Sequence, residues 1–145
     1  MEGKFFTLDE ANDLVPHLES MFSRIFGLND VLKKMNIDIK DLFDIWGNEI
    51  MEGRNPDHFL YLERLQKQDS LMSAIKNEVA QIQALGLEVK DIKNGLVDFL
   101  HDNDGEIVFL CWRYGEKRVQ YWHPCDGGFT GRRRIEELEG MKFVG

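Results

Sequence analysis

At 145 residues, with a formal net charge of -8 and no apolar run near the ~20 residues that span a bilayer, the chain fits one domain or one small domain with an elongated appendage. Its hydrophobic content of 43%, with 11% aromatics, is enough for a core and excludes a disordered chain. The acidic excess argues against nucleic acid and anionic membrane as partners, because both are bound largely through Lys and Arg. The opening Met1-Glu-Gly-Lys4 lacks the apolar core of a signal peptide, so a cytoplasmic location is expected, with Cys111 and Cys125 as reduced thiols.

Thr7-Leu-Asp-Glu10 is a helix start. The Thr7 hydroxyl can accept the Glu10 amide while the Glu10 carboxylate reaches back to Thr7. Leu14, Leu18, Met21, Ile25, Leu28, Leu32, Met35, Ile39, Leu42 and Trp46 then alternate in steps of four and three, one apolar seam along a long helix. Pro16 removes an amide near the start, and a kink is expected there. Gly27 and Gly47 weaken the helix without being required to end it. Gly53-Arg-Asn-Pro56 reads as the turn into a second stripe, Tyr61, Leu65, Gln68, Met72, Ile75, Val79 and Ile82, closed by Gly86. The two stripes predict an antiparallel helical hairpin over residues 1–86, coiled-coil-like, with a first helix of ~65 Å and a second of ~45 Å. The longer helix then overhangs, and its N-terminal end can carry the C-terminal part of the chain. Apolar residues off the seam, Phe22, Phe26, Val31, Ile37, Phe43, Ile45 and Ile50, predict a homodimer through the first helix.

After Gly86 the hydrophobic period shortens to two. Leu87-Glu-Val-Lys90, Leu96-Val-Asp-Phe99, Ile107 to Arg113 and Val119 to His123 read as strands. Asn94-Gly95, His101 to Gly105 and Tyr114 to Lys117 read as their turns. The fold class is therefore α+β: a helical hairpin followed by a small antiparallel β-meander of about four strands over residues 87–145, packed on the N-terminal end of the first helix.

Gly95-Leu-Val-Asp-Phe99, Leu110-Cys-Trp-Arg-Tyr-Gly-Glu116, Tyr121-Trp-His123 and Gly128-Phe-Thr-Gly-Arg132, with Phe6-Thr-Leu-Asp-Glu-Ala-Asn12 and Pro16, resemble the prokaryotic family catalogued as domain of unknown function 2203. The chain departs from that pattern at Leu100, where a proline is expected, and at Thr130, in place of a small apolar residue. The resemblance implies a small bacterial protein and attaches no activity or cofactor to it.

Face assignment decides which groups in the richest stretch, Leu110 to Arg134, can cooperate. An even loop, the commoner kind, sets Cys111 opposite Gln120 and puts Cys111, Arg113 and Trp122 on one face, with Trp112 and His123 on the other. A three-residue loop slips the register and can bring Cys111 and His123 together. Under the even register Cys111 reads as a buried small hydrophobe, and Cys125, beside Pro124 and glycines, as the more reactive thiol. Glu116 reads as the partner of an arginine.

Three functions are compatible with these groups. The leading one is a binding module for a small anionic, possibly aromatic, molecule, held by Arg113, Glu116, Trp122, Gly128, Phe129, Gly131 and Arg132. The glycines would let backbone amides converge on the anion. The second is a metal-assisted hydrolase using His123 with Asp98 or Cys125. The third is an interaction scaffold working through the hairpin. Whether the protein is an enzyme stays open at this level.

Overall fold

The structure, a computed structural model, describes residues 4–138. It is an α+β fold. Helix α1 (Leu8–Trp46) is followed by a 3-10 turn (Gly47–Met51) and helix α2 (His58–Ala84). Five strands complete it: β1 (Glu88–Asp91), β2 (Leu96–Asn103), β3 (Glu106–Arg113), β4 (Tyr121–Pro124) and β5 (Arg133–Arg134). They form one antiparallel sheet in chain order, β1-β2-β3-β4-β5. The chain divides into two compact units, Arg24–Glu78 on its own and Met1–Ser23 joined with Val79–Gly145.

In the Arg24–Glu78 unit the seam residues Leu28, Leu32, Met35 and Ile39 are half-buried and Leu42 is fully buried. On α2 the inward position is Leu71, not Met72, which is exposed. Gly47 does end the α-helix: it takes φ 59, and the chain tightens into the 3-10 turn. The tip is held by side chains. Asn55 Oδ1 accepts the Asp57 amide at 2.8 Å, Trp46 Nε1 donates to Asp57 at 2.9 Å, and His58 Nδ1 donates to the Ile50 carbonyl at 2.8 Å. These bonds close the orphan groups that every helix end presents. Three off-seam residues are accounted for inside their own units: Phe22 and Ile50 are fully buried, and the Phe43 ring meets Tyr61 edge-on at 5.6 Å.

In the other unit α1 begins on the expected reciprocal cap. Glu10 N donates to Thr7 Oγ1 at 3.1 Å, and Thr7 N donates to Glu10 Oε1 at 2.9 Å. The Thr7 amide holds the exposed Glu10 carboxyl below its usual range. The helix runs unbroken through Pro16. α2 ends at Ala84, and Gly86 takes the left-handed φ 98 that its position after a helix asks for.

The sheet has two unlike faces. Val97, Phe99 and His101 of β2 pair with Trp112, Leu110 and Val108 of β3, and Leu110 pairs with Trp122 of β4. All seven are buried. This inner face meets the start of the chain: Phe6 packs edge-on to Phe99 at 5.2 Å, and Phe22 lies 6.2 Å from Trp112. Phe6 N donates to the Leu100 carbonyl at 2.7 Å, and His101 Nδ1 donates to the Phe6 carbonyl at 2.8 Å. The β2–β3 turn is narrower than expected. Asn103 pairs with Glu106, so only Asp104 and Gly105 turn, with φ 54 and 94, the mirror-image hairpin geometry that Asp-Gly favours.

The β3–β4 register corrects the sequence reading. Cys111 pairs with Tyr121, not Gln120, and Leu110 pairs with Trp122. The reason is a long-range contact. Val119 leaves the ladder because its amide donates to Asn12 Oδ1 of α1 at 2.7 Å, so β4 starts two residues later. One step of slip moves every side chain to the other face. Trp122, expected beside Arg113, is therefore buried on the inner face with Trp112, and His123 moves to the outer face with Cys111.

Candidate metal centre

The outer face carries Asp98 from β2, Cys111 from β3 and His123 from β4. Asp98 pairs directly with Cys111 across the sheet, and His123 sits one rung along, opposite Phe109. Each is the one polar residue in an apolar run: Val97-Asp98-Phe99, Leu110-Cys111-Trp112, Trp122-His123-Pro124. Their relative exposures are 2%, 0% and 3%. One donor atom of each lies within 4.8 Å of the others.

An outer face is dry here because the segment after β4 folds over it. The Arg132 guanidinium lies 4.1 Å from the Tyr121 ring centroid and 4.7 Å from that of Phe129. Its Nη2 donates to Glu116 Oε1 at 2.7 Å. That same Glu116 oxygen accepts the Arg113 amide at 2.7 Å, and the Glu116 carbonyl accepts Trp112 Nε1 at 2.9 Å. Glu116 thus fastens the β3–β4 loop to the cover. Phe109 closes another side, its ring 5.4 Å from that of His123.

Proton positions are set by the partners. The Pro124 carbonyl can only accept, so His123 Nδ1, 2.8 Å away, carries a hydrogen. Nε2 then faces Asp98 Oδ2 at 2.9 Å across one shared proton. Burial pushes the Cys111 thiol up to about 12; the Arg132 cation opposes this shift and Asp98 adds to it. Burial works against the Arg132 cation, but its bond to Glu116 and the neighbouring Cys111 keep its pKa above the ordinary arginine value. Two atoms of this cluster, Asp98 Oδ1 and Arg132 Nε, are buried with no hydrogen-bond partner among the described residues.

The remaining expected residues lie elsewhere. Cys125 is exposed, and its thiol donates to the Ile107 carbonyl at 3.3 Å, so the thiol that joins Asp98 and His123 is Cys111. Arg113 is exposed and lines a cavity of about 200 Å³ with Phe129, Leu96, Asp91 and Asn94. In the glycine segment the amides of Gly127, Gly131 and Arg132 are taken up inside the segment, by the Pro124, Gly128 and Phe129 carbonyls. Gly128 takes φ 62 and a 3-10 turn runs over Phe129–Gly131, so this segment folds back as a cover. The sequence signal that could have found Cys111 is its setting, a lone polar atom in an apolar strand, repeated at Asp98 and His123.

The molecule is thus a helical hairpin joined to an antiparallel meander that buries a carboxylate, a thiol and an imidazole on one face. The profile of the family described as Uncharacterized conserved protein (DUF2203) matches residues 4–135, and the chain belongs to that family. No curated protein and no solved structure gives a significant match.

Proposed function

We propose that the protein is a metalloprotein in which Asp98, Cys111 and His123 hold a thiophilic divalent ion of the zinc class. One position of the ion would stay open, the pattern of metals that activate water in hydrolysis. The observation that carries this reading is Asp98 Oδ1, an acceptor with no donor among the described residues, buried beside a thiol and an imidazole nitrogen. An orphaned carboxylate oxygen costs about 1–3 kcal/mol or more, and folded proteins rarely leave one. A cation satisfies it. The donor set, one sulfur, one nitrogen and one carboxylate oxygen, is the mixture zinc takes. The Pro124 carbonyl supports the same reading, since it fixes the hydrogen on Nδ1 and leaves Nε2 for a metal.

Use of Cys111 as a nucleophile is the weaker reading. Its thiol stays protonated at neutral pH, and the imidazole nitrogen that could serve as base faces Asp98 instead. Metal analysis of the full chain purified without added metal tests the proposal. About one equivalent of zinc is expected, lost in His123→Ala and in Cys111→Ser and retained in Cys125→Ser. A wild-type chain that emerges from zinc incubation and dialysis metal-free overturns it.

A second reading concerns the helical hairpin, which we propose pairs with a second copy of itself through α1. Val31 and Ile45, two heptads apart on that helix, stay exposed, Ile45 to 69%. Light scattering on the eluting chain should give the mass of a dimer, and Ile45→Lys with Val31→Glu should halve it. A monomeric wild type ends this reading.

A further inference from the structure

We infer that the open metal position takes a small oxyanion, a carboxylate or a phosphate, whose second contact is the Nε–H of Arg132. This inference rests on the metal reading above and adds the ligand. Among the described residues two cations act on the cluster: Arg132 on the Cys111 thiol, and the more exposed Lys90 on Asp98. The Arg132 head is fixed on three sides, by Glu116 through Nη2 and by the Tyr121 and Phe129 rings. A guanidinium so held is prepared for a planar anion, and little freedom is lost when one binds. Its Nε nonetheless has no oxygen or nitrogen acceptor among the described residues; the Cys111 sulfur, a weak acceptor, lies beside the guanidinium. A buried N–H without an acceptor is as rare as a buried carboxylate oxygen without a donor. The ion answers Asp98; an oxygen bound to the ion answers Arg132.

A cavity lies one outward rung away on the same face. Asp98 pairs with Cys111, and the next outward rung on the same two strands is Leu96 with Arg113. Two residues along a strand is ~7 Å. Leu96 and Arg113 line the cavity of about 200 Å³, and Phe129, which lies under the Arg132 guanidinium, forms part of its wall. That volume is below the ~300–1,000 Å³ of sites for drug-sized molecules, so the ligand has few heavy atoms. Arg113 supplies a second positive group on the cavity wall, where the Asp91 carboxylate also stands, tied to Asn94 and the Lys93 amide.

The test uses the full chain loaded with cobalt(II), whose visible bands report its ligands, titrated with inorganic phosphate and separately with acetate. A saturable change of the bands with at least one anion is expected, and which anion produces it names the class. Arg132→Lys should weaken that anion about tenfold to a hundredfold at unchanged cobalt content. Arg113→Ala, at an exposed position that leaves the fold intact, should weaken it by about threefold or more. Cobalt bound stoichiometrically with bands indifferent to both anions overturns the oxyanion while the metal centre stands. Failure to bind cobalt at all overturns both. Should Arg132→Lys not fold, Arg113→Ala decides, and an anion affinity equal to wild type there overturns the inference.

Discussion

The two units of this protein differ in one use of charge: only the sheet unit buries an ion pair completely among the described residues. In the Arg24–Glu78 hairpin the ion pairs stand in solvent or at its edge: Arg24 with Glu78 at 3.1 Å, Lys40 with Asp44 at 2.8 Å, Arg64 with Asp38 at 3.6 Å. In the sheet unit Lys90 with Glu88 is exposed as well, but Arg132 with Glu116 is mostly covered and His123 with Asp98 is removed from water. Exposed pairs are screened and contribute little; buried ones lose hydration and must be fully partnered to offset that loss. The hairpin is therefore held by its apolar seam, with charge as decoration. The sheet unit concentrates polar groups where they are costly, and two of their atoms stay unanswered. Such an arrangement is what a functional site looks like, since stability alone would be served as well by apolar residues.

The sharpest way to break this contrast is to remove one member of each kind of pair and unfold the metal-free chain with urea. His123→Ala, which takes the hydrogen bond from the buried Asp98 Oδ2, should lose about 3–5 kcal/mol. Arg64→Ala in the hairpin should lose less than about 1 kcal/mol. Similar losses would show that burial does not separate the two units. A backbone change comes next in size. A Cβ on Gly86 would stand 2.8 Å from Lys4 Cβ at a φ of 98, so Gly86→Ala should cost about 1–2 kcal/mol, read from the same curves. Thr7→Ala, which opens the cap of α1, should cost about 1 kcal/mol.

Proton release sharpens the comparison without a mutation. A metal entering the cluster must expel the proton shared by His123 and Asp98 and the thiol proton of Cys111. Zinc titrated into weakly buffered protein should therefore release about two protons per ion, and affinity should fall as pH falls. Release of none would mean that the ion binds elsewhere.

Much of the fold was legible because its determinants are local. Thr7 with Glu10, Gly86 and Asp104-Gly105 each act within a few residues, and their chemistry is the same in any context. The heptad seam is legible for the same reason, repeated. What failed was the register of β3 against β4, and it failed for non-local causes. Asn12 takes the Val119 amide from far up the chain, and Glu116 binds both Arg113 and Arg132. Neither is visible in the turn residues themselves. That single step carried the site with it: it removed Trp122, brought in Cys111, and gave His123 a partner in Asp98. β5 was missed because Arg133 and Arg134 are charged and exposed, and pair only where Trp122 and Tyr121 lie beside them.

The order of the chain bears on how the protein is made. The sheet unit is discontinuous: the first 23 residues belong with those from Val79 onward, while Arg24–Glu78 is contiguous. On the ribosome the hairpin can complete itself as soon as it emerges. The opening segment, with Phe6 waiting for Leu100 and Asn12 for Val119, meets these partners only after the strands that follow the hairpin have been made. Translation order thus imposes a sequence of events, hairpin first and sheet last. The sheet unit is assembled only when the segment before the hairpin meets the strands after it.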